Sequence, residues 1–244
     1  MTTNASLRIL SAAAGMFLLN ISQEAHAQSS ITAVASVGST NVELNGSGIL
    51  EIADPYIKPI TQYSVGLQYE KALSRHFSMI TGAQYSSRGF GVREQFDITL
   101  LGIDVPLGAS IETRLNYVEA PLLIKYNFTE SGVTPYLKAG ASAAYALNGK
   151  ITPKVQAIIN WSLPSININL DNDLYNRFDI SAVAGAGVSI PTNTFGAINL
   201  EVGYRHSLNS MLQDNIADIG IKSHGFSAGI GYTMTFYTVS FISY

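Results

Sequence analysis

Cysteine is absent from the 244 residues. That excludes a disulfide framework, a thiol nucleophile, an iron–sulfur site and a lipoprotein anchor, which needs a cysteine at its cleavage point. Charge is scarce as well: 13% of residues are Asp, Glu, Lys or Arg, about half the usual share of a soluble protein. The net charge of −3 comes without a Lys/Arg cluster, so no nucleic-acid partner is expected. After Ala27 no apolar run approaches the roughly 18 residues that mark a membrane helix. No His-x-x-x-His spacing or carboxylate-dense EF-hand loop occurs, and neither a metal nor a cofactor is expected. The acidic cluster Asp171-Asn172-Asp173 reads as a turn former in a polar loop.

What the chain does have is apolar and aromatic material. Apolar residues make up 47%, with 21 Gly, 13 Tyr and 10 Phe, enough for one folded domain and far from a disordered composition. Residues 1–27 read as a secretory signal peptide. Arg8 supplies the positive start, Ile9 to Ile21 the apolar stretch, and Ala25-His26-Ala27 the cleavage motif, so Gln28 becomes the new N-terminus. The mature domain is then 28–244. Loss of Arg8 and Glu24 leaves the net charge at −3.

Beyond the leader, polarity alternates with period two, the pattern of strands with two unlike faces. Ile198, Leu200, Val202 and Tyr204 share one face; Asn199, Glu201, Gly203 and Arg205 share the other. The same alternation runs through Tyr63–Glu70, Val118–Phe128 and Phe226–Met234. Eight strands are predicted, near 31–40, 62–72, 76–88, 113–128, 135–147, 177–190, 196–207 and 223–236. Short connections (Leu73–Arg75, Thr129–Thr134, Pro191–Phe195) alternate with long ones (Asn41–Thr61, Gly89–Glu112, Asn148–Asn176, Leu208–Lys222). In an up-and-down meander all the short turns then lie at one end, as in outer-membrane barrels with tight periplasmic turns and longer external loops. The fold class is therefore all-β, an eight-stranded up-and-down antiparallel transmembrane β-barrel of the bacterial outer membrane. Without helices, only a closed barrel satisfies every backbone polar group in hydrocarbon. Tyr63, Tyr69, Tyr85, Tyr117, Tyr126, Phe128, Tyr136, Tyr145, Tyr204 and Tyr232 are read as interfacial girdles. A soluble lipocalin-type barrel is the rival, with its apolar face turned inward.

With the strands in place, the sequence resembles the PorT-like outer-membrane β-barrel family of the Bacteroidetes. Tyr63–Phe90 (YSVGLQYEKALSRHFSMITGAQYSSRGF) resembles that family's first hairpin, and Leu115–Phe128 (LNYVEAPLLIKYNF) its most recognisable strand. Pro135–Leu147, the segments FDISAVAGAGVSI and INLEVGYRHSL, and HGFSAGIGYTM follow in the expected places. The tail after Phe236, YTVSFISY, departs from the usual ending in an aromatic of the closing strand, which leaves the register of the last strand open. The resemblance implies an integral outer-membrane protein, and the namesake's link to type IX secretion marks a secretion partner as one expectation.

Strand parity turns Glu70, Arg88, Glu119, Lys125, Lys138, Glu201 and Arg205 inward. In so narrow a barrel, opposite charges are expected to pair as a closed polar core, the alternative being a solute path lined by buried ionisable groups. Glycines such as Gly185 and Gly187 fall in a strand, where they relieve crowding and do not cradle phosphate. His206 and His224, with Ser207, Ser210, Asp214 and Asp218 nearby, are the one constellation suggestive of a rim lipid hydrolase. Polar loops carry such residues for solvation alone, and no catalytic residue is assigned. The expectation is a non-enzymatic, monomeric barrel with a structural or interaction role. Its partners are outer-membrane lipid, the barrel-assembly machinery during insertion, and an envelope or secretion component.

Overall fold

The computed structural model describes residues 29–45, 56–100, 103–156, 160–162, 164–168, 176–192, 196–211 and 220–236. The leader with its Ala27/Gln28 junction, Asp171–Asp173, Asp214, Asp218 and the tail after Phe236 lie outside the described residues.

Alternation sets the strands. They are β1 (Ser29–Asn45), β2 (Ile57–Lys58), β3 (Ile60–Ala72), β4 (Phe77–Leu100), β5 (Ile103–Asn127), β6 (Thr134–Gln156), β7 (Asn160–Ser162), β8 (Ile166–Ile168), β9 (Phe178–Pro191), β10 (Gly196–Ser207) and β11 (Gly220–Phe236). Eight of them form an antiparallel ring in the order β1-β3-β4-β5-β6-β9-β10-β11, and β11 closes onto β1 with Ser29 opposite Phe236. Closure leaves no free edge in the ring, the condition for crossing hydrocarbon without helices.

The two faces are chemically distinct. On β3, Tyr63, Val65 and Leu67 point outward and are exposed. Their partners on β1 (Val37, Ala35, Ala33) and β4 (Ser87, Tyr85, Ala83) face the same way. Towards the long-loop end the outward apolar positions Val37, Tyr63, Tyr85, Val118, Tyr145, Phe178, Tyr204 and Phe226 form an external girdle. In it Tyr204 lies 4.7 Å from Phe226 and Tyr145 lies 5.1 Å from Phe178 between ring centroids. At the short-turn end, Tyr126 meets Phe77 in a tilted contact and Phe128 edge to face, with centroids 5.0 and 5.1 Å apart. Val118 to Tyr126 rises roughly 20 Å along the barrel axis, taking ~3.3 Å per residue and a tilt of ~40°. Exposed apolar side chains such as Val65, Leu67, Leu122, Ile124, Leu137, Leu200, Val202 and Ile230 would be a liability in water; ringing a closed barrel, they form its lipid surface. The inverted, lipocalin-type polarity is therefore not what the chain adopts.

Two expectations are corrected. Gly89–Glu112 is not an irregular loop: β4 and β5 stay paired from Gly89↔Arg114 up to Leu100↔Ile103. Strand alternation persists there (Phe96, Ile98, Leu100 against Gln95, Asp97, Thr99), and it outweighs the Gly and Pro residues that suggested a loop. Likewise β6 continues to Gln156, into the segment Asn148–Asn176, where β7 and β8 pair with it. These strands carry the sheet on the order of 40 Å beyond the girdle at ~3.3 Å per residue. Second, Tyr117 and Tyr136 are not girdle residues. Both point inward and are buried, because they share parity with Glu119 and Lys138.

Candidate functional site: a lumen of paired charges

Inward parity on neighbouring strands brings side chains of opposite sign together across the lumen. Burying an unpaired charge is costly, so each needs a partner within hydrogen-bond reach. Near the periplasmic end, Lys125 Nζ on β5 donates to Glu70 Oε2 on β3 at 3.0 Å, and Ser78 Oγ donates to Glu70 Oε1 at 2.5 Å. Lys125 also stands 4.5 Å from the Tyr136 ring centroid. Next, Lys138 Nζ on β6 lies 2.6 Å from Glu201 Oε2 on β10, which also accepts the Tyr136 hydroxyl at 3.1 Å. Gly187 makes room for that phenol ring: a Cβ there would sit 2.5 Å from Tyr136 Cζ and 2.6 Å from the Leu200 carbonyl oxygen.

A second cluster lies towards the external end. Glu119 on β5 receives Arg205 Nη2 from β10 at 2.5 Å and Ser86 Oγ from β4 at 2.5 Å, with Arg88 Nη2 at 3.7 Å. Arg88 in turn donates to Asp179 Oδ2 on β9 at 2.6 Å, and Ser181 Oγ donates to the same oxygen at 2.8 Å. The Arg88 guanidinium rests 4.1 Å from the centroid of Tyr117, a stacking arrangement favourable to a desolvated cation. Arg88 and Glu119 are each 1% exposed.

The seven inward charges named from sequence thus all stand in the lumen, Glu70 with Lys125, Lys138 with Glu201, and Arg88 and Arg205 with Glu119. The eighth, Asp179, completes four cations against four carboxylates. Sequence reading missed it, although its parity with Ser181, Val183 and Gly185 carried the signal. A cavity of about 120 Å³ runs beside Glu119, Arg205 and Ser142. Arg88 Nε and Nη1, Arg205 Nη1 and Ser142 Oγ make no hydrogen bond among the described residues, so the space suits a small group of waters. A wider cavity of about 390 Å³ opens at the periplasmic end and includes Glu70, Ser78 and Lys125. Glu70 and Lys125 line both cavities.

The rim constellation does not assemble as a nucleophile–base pair. His206 and Ser207 are neighbours on β10 and so face opposite sides. Ser207 is buried and hydrogen-bonds Ser223 Oγ at 2.7 Å, while His206 stacks on His224 across the strand pair, ring centroids 6.4 Å apart. Ser210 lies past the strand end, close enough for its hydroxyl to accept the Ile221 N–H at 3.1 Å.

A closed ring with an apolar outer wall and a charged, paired interior has one habitat, the lipid bilayer. A family model described as an outer membrane protein beta-barrel domain matches residues 22–213. The chain belongs to that family. Like the rest of this outer-membrane β-barrel family, it is an integral protein of the bacterial outer membrane. Among solved structures it is similar to the outer membrane protein OprG of Pseudomonas aeruginosa, at 14% identity and TM-score 0.44, over 88% of this chain and 98% of that one. Neisserial surface protein A matches at 13% identity and TM-score 0.39, over 82% and 95%. Ail, the attachment invasion locus protein of Yersinia pestis, matches at 18% identity and TM-score 0.35, over 86% and 100%. No curated protein matches the sequence.

Proposed function

We propose that this outer-membrane barrel is a sealed, non-catalytic scaffold whose work is done by the strands it raises outside the membrane. The observation that carries the reading is the lumen itself, whose interior is filled by ion pairs of balanced sign. A passive pore needs an open path with a net field, and close pairs of balanced sign across the lumen supply no such field. Function then falls to the part that is not needed for crossing the membrane, the continuation of β4, β5 and β6 past the girdle. Residues 1–27 serve as the export leader, cleaved between Ala27 and Gln28, and the barrel-assembly machinery inserts the chain as a monomer. The resemblance of Leu115–Phe128 to the PorT-like strand supports placing it with the Bacteroidetes barrels and makes an envelope or secretion component the expected partner.

The test trims the raised hairpin. Val92 pairs with Ile111, so residues 93–110 can be replaced by a two-residue turn without disturbing the ring. The trimmed protein is expected to show the heat-modifiable migration of a folded barrel, yet to leave cells with the same envelope sensitivity as deletion of the gene. Full complementation by the trimmed chain would overturn the proposal. So would steady unitary conductance of the intact protein in planar bilayers, which would make a solute path the better reading.

A further inference from the structure

Just above the external girdle, the outer wall of β5 and β6 changes character in an ordered way. Val118 and Tyr145 stand opposite each other at the top of the apolar band. The next pair along, Asn116 and Asn148, is joined by Asn116 Nδ2 donating to Asn148 Oδ1 at 2.6 Å. One step further, Arg114 stands directly across from Lys150, whose side chain is exposed.

Like charges placed opposite each other across a strand pair are destabilising unless something negative lies between them. Among the described residues no carboxylate fills that place. Glu112, the next carboxylate up β5, is engaged by Lys154, and neither Arg114 nor Lys150 makes an ion pair among the described residues. Arg114 nevertheless has a fixed position. Its Nη1 donates to the Thr61 carbonyl at 2.9 Å and reaches Ser87 Oγ at 3.5 Å. Its strand partner is Gly89, where a Cβ would lie 1.9 Å from the Thr113 carbonyl oxygen. Both contacts use Nη1, so among the described residues Nη2 remains able to donate to an outside acceptor.

We propose that Arg114 and Lys150, with Asn116 and Asn148 beneath them, bind the phosphate headgroup of an anionic lipid in the outer leaflet. Apolar wall, then amides, then cations is the sequence of chemistry that a lipid presents from its acyl chains through its ester or amide linkages to its phosphate. Arginine suits the last step because its planar fork pairs with phosphate oxygens two at a time. The apolar wall below the cations is what commits the site to lipid, since a free anion gains nothing from Val118 and Tyr145. This inference does not depend on the role of the lumen or the raised hairpin.

The full-length barrel, purified in detergent, would be titrated with dioctanoyl phosphatidic acid and read by native mass spectrometry. One retained lipid is expected, bound about fivefold more weakly for each cation removed and roughly 25-fold more weakly in Arg114→Gln/Lys150→Gln. Arg75→Gln, the same charge loss at a periplasmic turn, should leave retention unchanged. Equal retention of dioctanoyl phosphatidylcholine would overturn the proposal in favour of apolar adsorption. Displacement of the lipid by equimolar inorganic phosphate would overturn the lipid assignment and leave a simple phosphate site. Retention that the double variant does not weaken would overturn it as well. Heat-modifiable migration shows that the double variant is folded; should it fail that check, the exposed Lys150→Gln alone must still show its fivefold loss.

Discussion

The lumen holds two clusters of charge built by the same strand parity, yet they live in different surroundings. At the external end, Arg88, Glu119, Asp179 and Arg205 form one connected group around Glu119, whose side chain is fully buried. At the periplasmic end, Glu70 with Lys125 and Glu201 with Lys138 are separate pairs, and the Glu201 side chain is 27% exposed. The wide cavity reaches the first of these pairs from outside. The carboxylate that anchors the external group is thus shielded from bulk water, whereas Glu201 at the other end is partly hydrated. A carboxylate that water can reach tolerates losing its cation, because solvent replaces part of the interaction. A fully buried carboxylate shared by two arginines does not, and its removal strands both cations.

The largest effect should therefore come from Glu119→Gln. The amide keeps the shape of the side chain and a hydrogen-bond acceptor, while Arg88 and Arg205 are left with Asp179 as the only carboxylate in their cluster. Breaking a buried pair by removing one partner costs about 3–5 kcal/mol. Urea unfolding of the protein refolded into lipid vesicles would measure it, and a loss below about 1 kcal/mol would show that water already screens the cluster.

That cluster also shows how far the sequence could be read. Period-two alternation located the eight ring strands and placed Glu119, Arg88 and Arg205 on the inner face, because a strand's parity is a local property. Which inner charge meets which depends on stagger between strands far apart in the chain, such as β5 with β10, and no local pattern encodes that. Asp179 sits one residue after Phe178 at the very start of β9, where an acidic residue next to a loop looks like loop chemistry. Tyr117 and Tyr136 look like girdle aromatics for the opposite reason: aromatic identity suggests an interface, while parity puts them inside, where a tyrosine beside Arg88 or Glu201 serves the lumen well. The raised hairpin was hidden by Gly89, Gly91, Pro106 and Gly108, residues that signal turns in isolation but are carried here by unbroken pairing with the opposite strand. The Arg114–Lys150 confrontation is invisible until the register around the irregularity at Asn116/Tyr117 is known.

A smaller loss is expected from Lys138→Met, which keeps the length of the side chain and removes its charge. Glu201 would retain the Tyr136 hydroxyl and some access to water. Losing a hydrogen bond to a charged group costs about 2 kcal/mol, and the same urea measurement should place this variant clearly between wild type and Glu119→Gln. If instead it matches Glu119→Gln, the two ends of the lumen are equally dry and the contrast between them fails.

The smallest effect belongs to an ion pair outside the barrel altogether. Arg75 and Glu130 link the β3–β4 and β5–β6 turns at 4.0 Å, with side chains 85% and 53% exposed. Their attraction is weakened by water and salt, and holding two long side chains together offsets part of what remains. Arg75→Ala should shift stability by no more than about 0.5 kcal/mol, and raising the salt concentration should leave even that difference unresolved. A shift comparable to that of Lys138→Met would mean that the turns, rather than the degree of burial, set the value of a charge pair in this barrel. Lys138→Met and Arg75→Ala each remove one charge from a single pair and differ in how much water reaches what is left, so their comparison isolates burial, while Glu119→Gln adds the effect of a carboxylate shared by two cations.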